Sequence, residues 1–202
     1  MAKTKYYVVW VGNQPGIYTS WAECADQVTG FSGAKYKAFE HKAHAQEAFE
    51  LGWEKCLGTT PALSLPPEVI ADSISVDAAC DGSPGNVEYR GVNTKTSEEL
   101  FHIGPLENGT NNLGEFLAIV HALALLKKQE KLTPIYSDSR TAMQWVKQKT
   151  VRSRLPRNQN TEKVWALADR ALTWLKNNSY PNEILDWDTQ KWGEIRADFG
   201  RK

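Results

Sequence analysis

Cysteine and long apolar runs are both scarce in this sequence of 202 residues. The three cysteines, Cys24, Cys56 and Cys80, are an odd number and lack the spacing of zinc ligands, so we interpret them as reduced residues and not as a disulfide framework. The longest strongly apolar run covers only residues 116–126, whereas a helix that spans a bilayer needs about 20 residues. Because the N-terminus also lacks the apolar stretch of a secretory signal, we expect a soluble protein of the cytoplasm without membrane contact.

An excess of charge of either sign is absent as well, because 24 basic and 24 acidic residues give a formal net charge of zero. Composition alone therefore does not indicate nucleic-acid binding. One stretch, residues 147–157, differs from the rest in having basic residues and no acid. Its basic residues are Lys147, Lys149, Arg152, Arg154 and Arg157. The stretch is either a solvated helix end and loop or a surface that contacts phosphates, and the sequence leaves both open.

Residues 5–51 have the pattern of a compact ββαβα unit. Ser20 and Glu23 match a capping box, which predicts that a helix begins there, and Gly30 and Gly33 end it. Segments rich in β-branched and aromatic residues predict strands. The predicted elements are, in order, strands 6–11 and 17–19, helix 21–28, strand 35–39 and helix 42–51.

Residues 56–72 separate this unit from the rest of the chain. They hold Pro61, Pro66 and Pro67 and few charges, and consecutive prolines exclude regular structure. We predict a linker that is semi-stiff where the prolines stand. The predicted domains are therefore residues 1–55 and 73–202.

The pattern changes from residue 73 onwards. Three consecutive strands are predicted first, and helices and strands alternate after them. The predicted strands are 73–79, 87–93, 99–105, 134–137 and 183–187, and the predicted helices are 112–129, 139–149 and 161–177. This order predicts an α/β domain with a mixed five-stranded sheet and helices packed against it.

Three carboxylates stand at positions where acids are costly. Asp77 lies within the most apolar segment after the linker, and Glu115 opens a helix whose residues 116–126 contain one polar side chain. Asp138 follows a short strand, at the end where α/β sheets place ligands. A buried hydrogen-bonded acid, an ordinary first-turn Glu and a helix N-cap are the structural alternatives, and the last is favoured for Asp138 taken alone. Together the three predict an oxygen-only site for a hard cation such as Mg²⁺ or Mn²⁺.

The segments that carry these acids resemble the motifs of type I ribonucleases H. SVDAACDGSPG around Asp77, TNNLGE ending at Glu115 and SDS around Asp138 are similar to three motifs of that family. EIRAD, which ends at Asp198, resembles the segment that holds the family's fourth acid. The resemblance covers residues 73–198 and implies a ribonuclease H-like fold.

The resemblance also implies an activity. It implies that Asp77, Glu115, Asp138 and Asp198 hold two Mg²⁺ ions, for which Mn²⁺ can substitute. The reaction would be hydrolysis of the RNA strand of RNA–DNA hybrids, with 5′-phosphate and 3′-hydroxyl ends as products.

Further residues fall where the family contacts the two nucleic-acid strands. They are Ser83, Thr110, Asn111, Asn112 and Ser139. The asparagine amides can both donate and accept hydrogen bonds, which suits the 2′-hydroxyl that distinguishes RNA from DNA. The alternative for the asparagine pair is a plain turn before a helix.

The sequence departs from the family near its last acid. Glu194 replaces a usual Asn, and the loop before Asp198 lacks the family's histidine. Lys191 is a candidate stand-in for that histidine, with a solvated surface lysine as the alternative. The sequence ends four residues after Asp198, where the family usually continues into a helix, and one interpretation is that a partner chain completes this edge.

Residues 5–49 closely resemble the hybrid-binding, or viroplasmin-like, domain. The resemblance rests on KYYVVWVG, GIYTSWAEC and GFSGAKYKAF. It implies that Tyr7, Trp21, Lys35 and Lys37 grip the hybrid through flat rings and phosphate contacts, and double-stranded RNA is a second possible ligand. Core packing is the alternative for the two aromatic residues. Because acids balance the lysines in this unit, we expect weaker and more salt-sensitive binding than in a basic relative.

Three hypotheses for the function follow. The first is a hybrid-directed endonuclease whose N-terminal domain tethers the substrate. The second is a binding protein for hybrids or double-stranded RNA whose nuclease domain is inactive. Another nuclease on the same fold is a third, which the TNNLGE motif and the N-terminal domain disfavour. The oligomeric state is left open by the sequence.

Overall fold

The computed structural model describes residues 5–56 and 65–200, which form two compact units with the boundary between Leu65 and Pro66. Residues 57–64 of the predicted linker lie outside the described part. Pro66 and the residues after it belong to the second unit, where Val69 is buried and the Ile70 N–H donates to the Tyr136 hydroxyl at 3.1 Å. The second unit therefore begins earlier than residue 73, because the end of the proline-rich segment packs on the sheet.

The first unit has the predicted ββαβα order, followed by one short helix that was not predicted. The elements are β1 (Tyr6–Val11), β2 (Gly16–Tyr18), α1 (Trp21–Val28), β3 (Lys35–Phe39), α2 (Lys42–Leu51) and α3 (Trp53–Cys56). The strands form an antiparallel sheet in the order β2-β1-β3. Helix α1 begins at the predicted capping box, in which the Ser20 hydroxyl accepts from the Glu23 N–H and the Glu23 carboxylate accepts from the Ser20 N–H.

Strand β1 is buried on both of its faces. Val8 and Trp10 pack with residues of α2 and α3, whereas Val9 packs with Cys24 and Val28 of α1. Successive side chains of a strand point to opposite faces, so this one strand supplies both small cores of the unit. The Trp10 indole N–H also donates to the Ala48 carbonyl at 2.9 Å, which ties α2 to the sheet.

The second unit is the predicted mixed five-stranded sheet with helices. Its elements are β4 (Ile74–Cys80), β5 (Gly85–Asn93), β6 (Glu99–Gly109), α4 (Asn111–Lys128), β7 (Ile135–Ser137), α5 (Arg140–Gln148), α6 (Glu162–Asn177), β8 (Ile184–Asp186) and α7 (Thr189–Trp192). The strand order is β6-β5-β4-β7-β8. Strands β4, β5 and β6 are antiparallel neighbours, and β7 and β8 continue the sheet in parallel with β4.

Most of the predicted elements of this unit are found within two residues of their predicted bounds, but one strand is longer than predicted and one helix was not predicted. Strand β6 does not end at Pro105 but continues to Gly109, because β6 is an edge strand and its register shifts around this point, which lets a proline without an N–H remain in the sheet. Helix α7 was not predicted; the Asp188 side chain caps it by accepting from the backbone N–H groups of Gln190 and Lys191.

Helix α4 lies at the centre of the second unit and packs on the sheet, on α5 and on α6. Its fully buried side chains include Leu113, Phe116, Ile119 and Leu123. Apolar side chains on nearly all of its surface are typical of a helix that is covered on every side. No helix within residues 5–56 or 65–200 has the length and apolar character needed to cross a membrane.

Candidate metal centre and nucleic-acid interface

The sheet topology brings Asp77 and Asp138 together. Strands β4 and β7 are parallel neighbours in which Ser75 stands opposite Tyr136. Asp77 and Asp138 each come two residues further along, so they lie side by side at the same edge. The two acids are 61 positions apart in the sequence, and only parallel pairing places them next to each other.

Glu115 reaches the same place because helix α4 approaches the sheet closely at Gly114. A Cβ atom at Gly114 would lie 2.8 Å from the Ala78 Cβ and 2.6 Å from a Val87 methyl group, distances that packed carbon atoms do not adopt. A residue without a side chain is therefore required where the first turn of α4 meets β4 and β5. The next residue, Glu115, is thereby held beside Asp77.

The three acids form a tight set. Asp77, Glu115 and Asp138 each offer one carboxylate oxygen, and these oxygens all lie within 4.8 Å of one another. Asp77 is 7% exposed and Glu115 is 3% exposed, while Asp138 is the most accessible of the three. Glu115 Oε1 accepts a hydrogen bond from Asn111 Nδ2 at 3.3 Å, but Glu115 Oε2 is buried and accepts none from the described residues. A buried carboxylate oxygen without a donor fits a ligand atom for a cation.

The electrostatics of the set lead to the same conclusion. Burial, reinforced by the neighbouring Asp138 carboxylate, raises the pKa of Asp77 to about 7. Burial, together with the Asp77 and Asp138 charges, also raises the pKa of Glu115 well above its ordinary value. Three ionised carboxylates at this distance repel one another, and a divalent cation between them would remove that cost. An all-oxygen donor set of this kind suits Mg²⁺ or Mn²⁺.

Asp198 joins the same cavity but not the tight set. The cavity has a volume of about 530 Å³, and all four predicted acids line it. The charge of Asp198 contributes to the raised pKa of Asp77. Its Oδ2 atom accepts from the Gly200 N–H at 2.8 Å. The structure thus brings the four acids to one cavity, with three closely grouped.

The other predicted contacts in the second unit divide into two groups. Asn111 and Ser139 line the cavity. Ser83 and Asn112 are exposed outside its lining, and Thr110 is the N-cap residue of α4, with a buried hydroxyl that has no partner in the described structure. Sequence reasoning overlooked Asp81 and Phe199, which also line the cavity.

Lys191 lies in α7 and is not among the residues that line the cavity. Its side chain is 75% exposed and its Nζ atom stands 3.5 Å from Asp188 Oδ2. This position is a surface ion pair, so the structure does not bring Lys191 to the acids.

The first unit presents a row of three aromatic side chains. The ring of Trp21 lies 5.7 Å from that of Tyr7 and 5.9 Å from that of Tyr36. Trp21 is 50% exposed and Tyr36 is 41% exposed, so core packing is not the role of this Trp. Tyr36 was not among the predicted residues. Alternation along 35–39 was the signal that could have identified it, because it places Tyr36 on the opposite face from Lys35 and Lys37.

Lys35 and Lys37 do not join the aromatic row. The Lys35 ammonium lies 5.0 Å from the Trp53 ring, and the Lys37 ammonium lies 6.0 Å from the Phe39 ring, on the side of the sheet that α2 and α3 cover. The predicted lysines and aromatic residues are therefore on opposite faces of the small sheet.

The basic stretch 147–157 is only partly available for a ligand. Arg157 makes two hydrogen bonds to Asp169 at 2.7 and 2.8 Å, and its guanidinium lies 3.9 Å from the centre of the Trp165 ring. Arg157 is thus engaged in a structural contact. The remaining basic residues of the stretch are exposed.

Comparison with protein families agrees with this arrangement. The family model described as RNase H matches residues 72–181, a range that contains Asp77, Glu115 and Asp138 and ends before Asp198. A second model, described as the Ribonuclease H1 N-terminal domain, matches residues 5–49.

Two curated relatives match a short segment of this chain. A ribonuclease H of Crithidia fasciculata is 52% identical over 44 residues, which are 22% of this chain and 9% of that protein. A ribonuclease H of Schizosaccharomyces pombe is 47% identical over 45 residues, which are 22% of this chain and 17% of that protein. The chain thus matches only a small part of the length of these relatives.

Solved structures of RNases H1 are similar to the larger part of this chain. LC11-RNase H1, isolated from compost, is 15% identical with a TM-score of 0.41, over 59% of this chain and 87% of that one. RNase H1 of Halobacterium salinarum NRC-1 is 17% identical with a TM-score of 0.39, over 59% and 86%. The RNase H family model matches more than half of the residues of this chain, and the chain therefore belongs to the ribonuclease H family.

Proposed function

We propose that this chain is a metal-dependent endonuclease that hydrolyses the RNA strand of RNA–DNA hybrids and leaves 5′-phosphate and 3′-hydroxyl ends. The observation that carries the proposal is the set of three closely grouped carboxylates in an open cavity of the ribonuclease H domain, one of which, the buried Glu115, has an oxygen with no hydrogen-bond donor among the described residues. An acid cluster that is open to one side can hold a cation and still admit a phosphodiester.

The residues that would hold two Mg²⁺ or Mn²⁺ ions are Asp77, Glu115, Asp138 and Asp198. When bound, the ions supply a Lewis acid and an activated water for attack on the phosphodiester. Asp77 stands on the central strand, and the burial of Asp77 and Glu115 keeps bulk water from part of the set. Asp138 is the most accessible of the three closely grouped acids and the one that a substrate could reach first.

Asn111 is the residue best placed to select RNA. It lies at the first turn of α4, lines the cavity, and its Nδ2 atom donates to Glu115. This bond orients the amide, whose oxygen then faces away from Glu115 and can accept a hydrogen bond from a 2′-hydroxyl. Asn112 and Ser139 are further polar groups at the same edge of the sheet.

The first unit acts in this proposal as a tether for the hybrid. Its exposed rings of Trp21 and Tyr36, with Tyr7 beside them, offer a flat surface on which bases or sugars can pack. A tether raises the local concentration of substrate without adding chemistry. Double-stranded RNA is a second ligand that we propose for the same surface.

Trp21→Ala should weaken hybrid binding by about 5- to 100-fold, because one aromatic contact to nucleic acid contributes roughly 1–3 kcal/mol. The fold should survive, since half of the Trp21 side chain is exposed. Fluorescence anisotropy with a labelled hybrid measures the change, and Trp21→Phe, which keeps a ring, is the matched control with a smaller loss. Equal affinity of the Ala variant and the wild type would remove the aromatic row from the binding surface.

Cleavage of matched end-labelled duplexes tests the proposed activity directly. The substrates are RNA–DNA, RNA–RNA, DNA–DNA and a DNA–RNA junction, each with Mg²⁺, Mn²⁺ or EDTA. We expect internal cleavage of the RNA strand of the hybrid, only with metal, and products that a 5′-phosphate-dependent exonuclease degrades. A hybrid that is bound but never cut with either metal would instead favour the binding-protein alternative.

A further inference from the structure

Asp198 lies in a segment that is neither helix nor strand, so other contacts must fix its backbone. Ile195 and Ala197 are buried at 1% and 0% exposure and anchor the segment from one side. The Asp198 N–H donates to the Ile195 carbonyl at 2.9 Å, which closes a turn just before the acid. These contacts hold the chain only on the N-terminal side of Asp198.

Arg90 of β5 supplies two further contacts. Its Nε atom donates to the Ala197 carbonyl at 2.8 Å, and one terminal nitrogen donates to the Asp198 carbonyl at 2.6 Å. These two carbonyls stand on either side of the Asp198 Cα atom. A single planar guanidinium therefore fixes the backbone on both sides of the acid.

The face of the same guanidinium is also engaged. Its central carbon lies 4.5 Å from the centre of the Phe199 ring, and the His102 ring meets Phe199 edge-on at 5.7 Å. The Arg90 side chain is 23% exposed. Two hydrogen bonds in its plane and an aromatic ring on its face leave the group one orientation, which a flexible lysine ammonium could not reproduce.

The position of Arg90 in the sheet links it to the acid cluster. Arg90 is the direct cross-strand partner of Asp77 in the antiparallel pair β4–β5. Side chains of directly opposed residues project to the same face of a sheet. Arg90 thus stands opposite Asp77 in the sheet, and its guanidinium bonds to the backbone of Asp198 in a segment more than a hundred positions away.

We propose that Arg90 is a positioning residue, which sets the backbone of Asp198 so that its carboxylate acts with Asp77, Glu115 and Asp138 in binding metal. The inference rests on the proposed function, because it assigns Asp198 to the metal site. Arg90 donates its hydrogen bonds to main-chain carbonyls, so its effect on the cation passes through the orientation of Asp198.

The test is a double-mutant cycle on metal binding rather than on activity alone. Mn²⁺ binding to the full chain is measured by electron paramagnetic resonance for wild type, Arg90→Lys, Asp198→Asn and the double variant. We expect Arg90→Lys to weaken Mn²⁺ binding by about 10-fold or more, the range for partners that orient metal ligands. In the Asp198→Asn background the same change should have less than about a twofold effect, because a contact that acts through Asp198 has nothing left to position.

Two further variants separate positioning from a general loss of structure. Glu99→Gln removes the exposed contacts of Glu99 with Arg90 at 3.7 Å and with His102 at 3.8 Å but keeps both hydrogen bonds of Arg90 to the main chain, and it should leave Mn²⁺ binding unchanged. Phe199→Leu removes the ring under the guanidinium and should give a smaller loss, which also disappears in the Asp198→Asn background. This variant keeps the inference testable if Arg90→Lys does not fold.

The outcomes distinguish this inference from the proposed function. The role of Arg90 would be overturned if Arg90→Lys had equal effects on Mn²⁺ binding in both backgrounds. It would also be overturned if either Arg90→Lys or Asp198→Asn bound Mn²⁺ as the wild type does. In each case the proposed function would stand as long as Asp77→Asn still abolished cleavage. A wild-type chain that neither binds Mn²⁺ nor cleaves the hybrid would overturn the proposed function itself. In cleavage assays the Arg90→Lys loss should appear in kcat at limiting metal and not in KM for the hybrid.

Discussion

Asp77→Asn should lower the cleavage rate by about a thousandfold or more and leave hybrid affinity nearly unchanged. Asp77 is one of the three closely grouped acids, and an amide cannot replace a carboxylate in holding a divalent cation. A loss of this size corresponds to about 4 kcal/mol of transition-state stabilisation, which is the scale of metal-ion catalysis. Glu115→Gln should behave in the same way, because its buried Oε2 atom has no other described partner.

Single-turnover cleavage of a saturating hybrid measures the rate, and fluorescence anisotropy in EDTA measures binding. Asp81→Asn is the matched control, because Asp81 lines the same cavity but uses its carboxylate to accept from the backbone and side chain of Asn86. We expect Asp81→Asn to keep its rate within a few-fold of the wild type. Full activity of Asp77→Asn would show that the acid set is not the site of chemistry.

The same Asp77→Asn change should make the metal-free protein more stable at pH 8. Burial and the Asp138 charge raise the pKa of Asp77 from 3.8 to about 7 in the folded state. Between these two values the folded protein keeps a proton that the unfolded chain has released. The stability that this proton contributes is complete below pH 4 and is lost as the pH rises through 7. Above pH 7 the wild type holds a buried carboxylate that repels its neighbours.

A pKa difference of three units corresponds to about 4 kcal/mol, and burial of the replacement amide offsets part of it, so we expect a gain of about 2–4 kcal/mol. Urea denaturation in EDTA, followed by circular dichroism at pH 5 and pH 8, compares wild type with Asp77→Asn. Relative to the wild type, the variant should have a higher free energy of unfolding at pH 8 and only a slightly higher one at pH 5. Titrations of groups outside the acid set cancel in this difference, so a gain that is the same at both pH values would contradict the assigned cause.

Added Mg²⁺ should reverse the order of stability of the wild type and Asp77→Asn. A ligand that binds only the folded state stabilises that state, and a cation among the carboxylates removes their repulsion. At pH 8 the wild type should therefore gain stability with Mg²⁺, and Asp77→Asn should gain little.

Asp77 and Glu115 could be identified from the sequence because each one breaks a local pattern. A carboxylate inside an apolar strand and another at the start of an apolar helix need a reason that is visible without coordinates. Asp138 was indicated by its place at the end of a strand, and the resemblance to the ribonuclease H motifs implied that these acids and Asp198 act together. The spacing between Asp77 and Asp138 required the register of β4 and β7, which local patterns do not contain.

Other features depend on contacts between distant segments and could not be predicted. The aromatic row needs β3 to pair beside β1, so that Tyr36 comes within reach of Trp21. The same pairing sends Lys35 to the opposite face. Arg90 and Asp198 are related only through the tertiary fold, and nothing in the local sequence of either residue indicates the other.

In the proposed metal site, Gly114 limits how closely two of the ligands can approach each other. Helix α4 packs so closely on the Ala78 and Val87 side chains that it has no room to move inward, which sets a lower limit on the gap between Glu115 and Asp77. Mg²⁺ binds oxygen at about 2.0–2.1 Å and Ca²⁺ at about 2.3–2.6 Å, so a difference of a few tenths of an ångström in that gap distinguishes the two ions. A glycine that contributes no ligand atom would thereby influence which ion fits the site, through the distance between a helix and a sheet.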